Sequence, residues 1–139
     1  SVFHRALQTV ITRLHAQDHS HVSRFEILAA AAVQIFHQAQ VDVIVWEAGL
    51  GGRYDPTRLM PKNLAILTSL ALEHTSVLGH TLQDIAAEKA AIAQRDDASE
   101  VVPLLLGPID LGEPDLDKVL PLINRGRPVS QLQQLRCLA

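Results

Sequence analysis

Three side chains of the 139-residue chain are of types that hold a divalent ion or the anionic oxygens around it: the carboxylate of Glu47, the imidazole of His74 and the amine of Lys89. Glu47 directly follows the β-branched run Val41-Asp42-Val43-Ile44-Val45-Trp46, and His74 follows Leu64-Ala65-Ile66-Leu67-Thr68 by a short connection. In an open parallel sheet, ligands gather beyond the carboxyl ends of the strands, so neighbouring strands would bring carboxylate and imidazole to one edge as the start of a metal site. The alternative is that Glu47 caps a loop and His74 bonds a backbone carbonyl, common work for polar strand-end residues. Lys89 shares a helical stripe with Leu82, Ile85 and Ile92, which directs it at the sheet. Either its stem snorkels to water or pairs with Glu88 or Asp84, or burial favours a neutral amine, available for chemistry or covalent modification.

Other groups carry less. The run Gly49-Leu50-Gly51-Gly52-Arg53 misplaces the third glycine of a dinucleotide loop, and Asp55-Pro56 stands where a helix N-terminus would have to cradle pyrophosphate. These glycines read instead as places where backbone approaches a ligand closely. Arg53 and Arg58 flank the run and suit bidentate carboxylate binding, against the default of surface ion pairing. His15, Asp18, His19 and His21 suit zinc by type, but polar residues are ordinary in a segment between helices.

The elements that must position these groups follow from periodicity. Phe3, Leu7, Val10, Ile11 and Leu14 form the stripe of an amphipathic helix ending near Gln17. Ser23-Arg24-Phe25-Glu26 has capping-box spacing and predicts a second helix to about Gln40, with Phe25, Leu28, Ala32, Ile35, Phe36 and Ala39 on one side and an alanine run at Ala29 to Ala32 that permits close approach to a sheet. Val41 to Trp46 and Leu64 to Thr68 read as strands covered on both faces. Between them the chain is mainly loop. Thr81 begins a helix to about Ala93, Val101 to Leu106 reads as a third strand, and a helix around Leu116 to Ile123 should kink at Pro121. Helices alternating with buried strands predict an α/β fold, layered, with a mostly parallel sheet flanked by helices and right-handed crossovers.

Composition narrows the function. Apolar residues are 47% and charged ones 19%, a globular balance, and the longest apolar run, Ile27 to Val33, is far short of the ~18 residues that span a bilayer. Twelve Lys and Arg against fifteen Asp and Glu give a net charge of −3, without the basic excess nucleic-acid binding needs. We therefore expect neither nucleic acid nor membrane as partner. The single cysteine, Cys137, allows no internal disulfide and suggests a cytoplasmic setting. The chain opens Ser1-Val2-Phe3-His4 and enters directly into a helical period, so we expect a piece of something longer. Five of the seven prolines lie after Asp96, where structure is hardest to read.

Several segments coincide in order with one family. Ser23 to Glu26, Val41 through the glycine run to Asp55, Leu67-Thr68-Ser69, Glu73-His74-Thr75, Leu78-Gly79-His80-Thr81-Leu82 and Ile85-Ala86-Ala87-Glu88-Lys89-Ala90 resemble folylpolyglutamate synthase/dihydrofolate synthase, of the Mur ligase superfamily. The resemblance runs from about Phe3 to Val102. It implies an ATP-dependent ligase of folate biosynthesis and one-carbon metabolism, in which ATP phosphorylates a carboxylate of dihydropteroate or folate and the amine of L-glutamate attacks the acyl phosphate. By position it implies Glu47 and His74 as Mg2+ ligands and Lys89 as a catalytic, carbamate-bearing lysine that also meets the metal. Ser23, Arg24, Phe25, Glu26 and Tyr54 match substrate-binding positions.

The chain departs from the family pattern at Glu73, Pro56, Arg58 and Ala91, where Asp, Ala, Asn and Gly are usual. No G-x-x-x-x-G-K-[ST] occurs in these residues. The expectation is an incomplete central ATPase domain over residues 1–139, without the phosphate loop and the carboxy-terminal glutamate-binding domain, unable to turn over ATP by itself. Competing readings are a non-catalytic remnant that binds a folate or a protein, and a ligase for a peptidoglycan-type precursor.

Overall fold

The Ser23 capping box forms as its spacing predicts. The Ser23 hydroxyl accepts from the Glu26 amide at 3.2 Å and the Glu26 carboxylate accepts from the Ser23 amide at 2.7 Å, satisfying two donors that a helix start leaves open. The helix behind it, α2, spans Arg24–Ala39 and packs against α1, Val2–Ala16. These observations come from a computed structural model, which describes residues 1–18, 21–94, 102–107 and 113–123. The chain divides into two units, Ser1–Gly49 and Leu50–Ala139.

In the first unit the buried positions are Ala6 of α1 and Ala29 and Ala31 of α2. The alanine run thus lets a helix, rather than a sheet, come close. Phe25 and Leu28, expected on the packed side of α2, remain exposed. The expected first strand is also corrected: Val41 to Trp46 forms no strand, and Val43 and Val45 are 78% and 89% exposed. A β-branched run favours extended backbone, but a strand exists only with a ladder partner, and among the described residues this run has none. Trp46 instead packs its ring on Phe36, centroids 5.6 Å apart.

The second unit contains a parallel pair, β1 (Ala65–Leu67) and β2 (Leu104–Leu106), in the register Ala65 to Leu104 and Leu67 to Leu106. Between them lie α3 (Thr75–Leu78), α4 (Leu82–Ala90) and a 3-10 turn at Ala91–Ala93, which completes the segment predicted as one helix from Thr81. Thr81 caps α4 by a second capping box, closed by Asp84. Only one face of β1 is covered: Ala65 and Leu67 are buried while Ile66 is 54% exposed, against the expectation of cover on both faces. The third strand is shorter than expected, and Val101 lies outside the described residues, as do His19 and Cys137.

The expected last helix is α5, Glu113–Ile123, which contains Pro121 and packs on α4. Ile85, Ala86 and Ala90 of α4, Val119 and Ile123 of α5, and Ala65, Leu67 and Leu104 of the strands share one buried cluster with Leu70 and Leu78. The fold is α/β, rich in helix and with a small parallel sheet. Among the described residues no helix is long and apolar enough to cross a membrane.

Candidate functional site

The second unit builds its polar geometry around the last turn of α4. Gly52 lies so close to that turn that a Cβ there would sit 2.6 Å from the Lys89 carbonyl oxygen and 2.9 Å from that of Glu88. Only glycine fits such an approach. Gly51, one residue earlier, holds a left-handed φ of +66°. The glycine run, read from sequence as room for a ligand, thus admits the backbone of α4.

The loop is fastened at three further points. Asp55 is buried, and its carboxylate accepts from the Thr57 hydroxyl at 2.6 Å and the amides of Thr57 and Leu50 at 2.9 and 3.2 Å. It caps the 3-10 turn Pro56–Leu59 and closes the loop back on its start. The Arg53 Nε donates to Glu88 Oε1 at 2.6 Å, an ion pair with side chains 37% and 26% exposed. This hydrogen bond, and the charge behind it, push the Arg53 guanidinium above its ordinary value. Lys62 donates to the Arg58 carbonyl at 2.6 Å. Tyr54, between the clamped Arg53 and the buried Asp55, is 89% exposed.

Lys89 ends at neither of the partners considered from sequence. Asp84 is taken by its capping box and Glu88 by Arg53, while the Lys89 amine donates to Glu73 Oε1. The lysine side chain is 15% exposed, so its stem is buried and its head reaches the more open carboxylate. That hydrogen bond, with the attraction of the ammonium, holds the Glu73 carboxyl below its ordinary value. His74 follows in the left-handed region, φ +49°, uncommon for a residue with a side chain. Its carbonyl accepts from Val77 and Leu78, and its exposed side chain makes no capping bond to α3.

Glu47, with the capping residues Ser23, Arg24, Phe25 and Glu26, belongs to the first unit; Tyr54, His74 and Lys89 belong to the second. Glu47, Ser23, Arg24, Phe25 and Glu26 are exposed. The strand expected to place Glu47 does not form, and the ladder neighbour of β1 is β2. Among the described residues no group of three or more His, Cys, Asp or Glu side chains is arranged to hold a metal, in the His15 to His21 segment or elsewhere. Magnesium takes hard oxygen donors in near-octahedral geometry. Glu47 and His74 carry lone pairs a divalent ion can take, but an ammonium has none, and Lys89 is engaged with Glu73.

Sequence reasoning missed the Arg53–Glu88 and Glu73–Lys89 pairings. Their partners are 35 and 16 residues apart, so no local spacing signals them. The buried role of Asp55 was foreshadowed only by its turn chemistry with Pro56.

No protein-family model matches the chain. It is 34% identical over 113 residues to a dihydrofolate synthase/folylpolyglutamate synthase of Haemophilus influenzae, covering 81% of this chain and 22% of that protein. The chain matches a segment of the folylpolyglutamate/dihydrofolate synthases. A folylpolyglutamate synthase solved with AMPPCP and folate superposes with a TM-score of 0.68 at 35% identity, over 85% of this chain and 28% of its own. The Mycobacterium tuberculosis folylpolyglutamate synthase complexed with ADP and AMPPCP gives 0.69 at 29% identity, over 89% and 28%. The chain thus spans between a fifth and a third of the length of these relatives, and its α/β fold corresponds to part of a Mur-ligase-type domain.

Proposed function

We propose that these residues form part of an ATP-dependent amide ligase that adds L-glutamate to dihydropteroate or a folate. In that reaction the γ-phosphoryl of ATP passes to a substrate carboxylate, and the glutamate amine displaces phosphate from the acyl phosphate to leave an amide. The observation that carries the proposal is the order-preserving match to a folylpolyglutamate synthase solved with AMPPCP and folate. It is supported by a loop whose clamping leaves Tyr54, a flat aromatic able to stack on a pterin ring, 89% exposed.

In this reading Tyr54 contacts the pteroate portion, with Ser23, Arg24, Phe25 and Glu26 as its further contacts. Glu47 and His74 are the proposed Mg2+ donors. Lys89 is the proposed catalytic lysine and meets the metal only as a carbamate, which requires Glu73 to release it. A bound magnesium ion would offset charge on the transferred phosphoryl group. The cytoplasm is the proposed compartment, and residues 1–139 the proposed central portion of the ligase.

A chimera tests this reading: the matching segment of the Haemophilus influenzae relative is replaced by this chain, and glutamate-dependent ADP release is followed with dihydropteroate and with folate. Turnover that falls at least tenfold on Lys89→Met supports it, because a lost transition-state contact of ~1.4 kcal/mol is already a factor of ten. A folded chimera that binds folate without turnover would instead support the non-catalytic folate-binding alternative, which the engagement of Lys89 with Glu73 favours.

A further inference from the structure

The last turn of α4 holds two loops through two adjacent residues of opposite charge. Glu88 takes Arg53 from the glycine loop, and Lys89 takes Glu73 from the loop before His74. Gly52 sets the backbone of the first loop directly on the carbonyls of the same two residues. From this arrangement we propose that Arg53 and Glu88 are a positioning pair, which fixes the exposed Tyr54 in register with Lys89 so that the substrate's ring system and its reacting end are held by one rigid element. The inference rests on the reading of Tyr54 as a pteroate contact and adds two residues to it.

The geometry gives the pair more than surface charge to do. Tyr54 is joined to the unit through its two neighbours, Arg53 clamped to Glu88 and the buried Asp55, which accepts from the Leu50 and Thr57 amides. The Asp55 bonds to Leu50 and Thr57 fix the loop internally, whereas the Arg53 bond ties that segment to α4. Without the Arg53 bond the loop would keep its own fold and the backbone approach at Gly52 but lose its side-chain tie to α4 beside Tyr54. The pair is half-buried and its Nε to Oε1 contact is short, a geometry in which an ion pair contributes more than a fully exposed one does.

The chain has one tyrosine, so 3-fluorotyrosine reports from position 54 alone in a fluorine NMR spectrum. We would compare the full chain with Arg53→Lys, Arg53→Gln, Glu88→Gln and the double variant Arg53→Gln/Glu88→Gln, each checked for folding by circular dichroism. The expected result without ligand is a shifted or broadened Tyr54 signal in either glutamine variant, no further change in the double variant, and a signal close to the original in Arg53→Lys, the pattern of two groups that act as a unit. With folate added, the single glutamine variants should bind about threefold to tenfold more weakly at equal fold content.

Independent, additive effects of the two substitutions, or a Tyr54 signal identical in all folded variants, would overturn the proposal. If folate leaves the unmodified signal unmoved, the assignment of Tyr54 as a substrate contact fails, while the ligand-free comparison still decides whether the pair positions it. If a variant fails to fold, Arg53→Lys and amide exchange in α4 of the remaining single variant decide the same question.

Discussion

Among the described residues, 1–49 bury three alanines and no larger side chain, whereas the second unit buries Ile85 and Val119 completely, with Leu67, Leu70, Leu78 and Ile123 nearly so. The first unit still forms two well-capped helices of fifteen and sixteen residues. Helix formation is therefore a local matter here, set by the caps and by helix-favouring residues, and burial is a separate one that needs a facing layer. The second unit supplies that layer because α4 and α5 pack on each other and share a core with two paired strands.

The largest expected effect tests this contrast at its core. Ile85→Ala should destabilise the second unit by ~2 to 5 kcal/mol, the usual result of emptying a fully buried aliphatic site. Val45→Thr, at a position 89% exposed, should stay within ~0.5 kcal/mol. Urea unfolding of both variants checks the pair, and a cost above ~1 kcal/mol for Val45→Thr would mean that this segment is covered in solution.

Next in size are the loop fastenings. Gly52→Ala forces a methyl group against the Glu88 and Lys89 carbonyls of α4 and the Ile92 amide nitrogen of the turn that follows, for a cost of about 1 to 3 kcal/mol, since backbone has to move to admit it. Asp55→Ala leaves the amides of Leu50 and Thr57 and the Thr57 hydroxyl without their acceptor and should cost a similar ~1 to 3 kcal/mol. Thermal melts give both values. Leu28 of the first unit is 45% exposed, so Leu28→Ala should shift the melt less than either.

The two capping boxes sharpen the comparison further. Ser23→Ala and Thr81→Ala each remove a side-chain acceptor worth about 1 kcal/mol. Their consequences should differ in reach. Thr81 starts the helix that carries Ile85 and Ala86, so its loss should raise amide exchange across the core cluster, whereas loss of Ser23 should raise exchange only within α2. Equal spread in the two variants would show that the units unfold together.

Much of this was legible in the sequence, and the reason is the same locality. The Ser23 box, the α1 period and the start of α4 at Thr81 all depend on neighbours within a few residues. Val41 to Trp46 misled because strand formation depends on a partner that composition does not reveal. The same holds for the charged groups: nothing near Lys89 points to Glu73, and nothing near Arg53 points to Glu88. The glycine run was read as a place where backbone approaches a ligand, whereas the body that approaches Gly52 is a helix end, which sequence does not reveal. The family segments were legible because they keep their order, and the match at 34% identity rests on that order.

The smallest expected effect compares the two depressed carboxylates, one in each unit. Glu26 is held below its ordinary value by its hydrogen bonds with the Ser23 side chain and amide, Glu73 by its hydrogen bond from the Lys89 ammonium. A carboxyl whose folded value lies below its unfolded one contributes stability that is fully present above the unfolded value and lost as pH falls through the folded value. Acid should therefore weaken both units only at the bottom of the carboxylate range, and weakly, since both groups face solvent. The causes separate them. Lys89→Met should return the Glu73 titration, followed by carboxyl carbon NMR, toward the ordinary glutamate range and leave Glu26 unmoved, while Ser23→Ala should raise Glu26 part of the way, since the amide of residue 23 remains, and leave Glu73 unmoved. A Glu73 midpoint that ignores Lys89→Met would mean that the lysine head rests elsewhere in solution, and with it would go the tie between the histidine loop and α4.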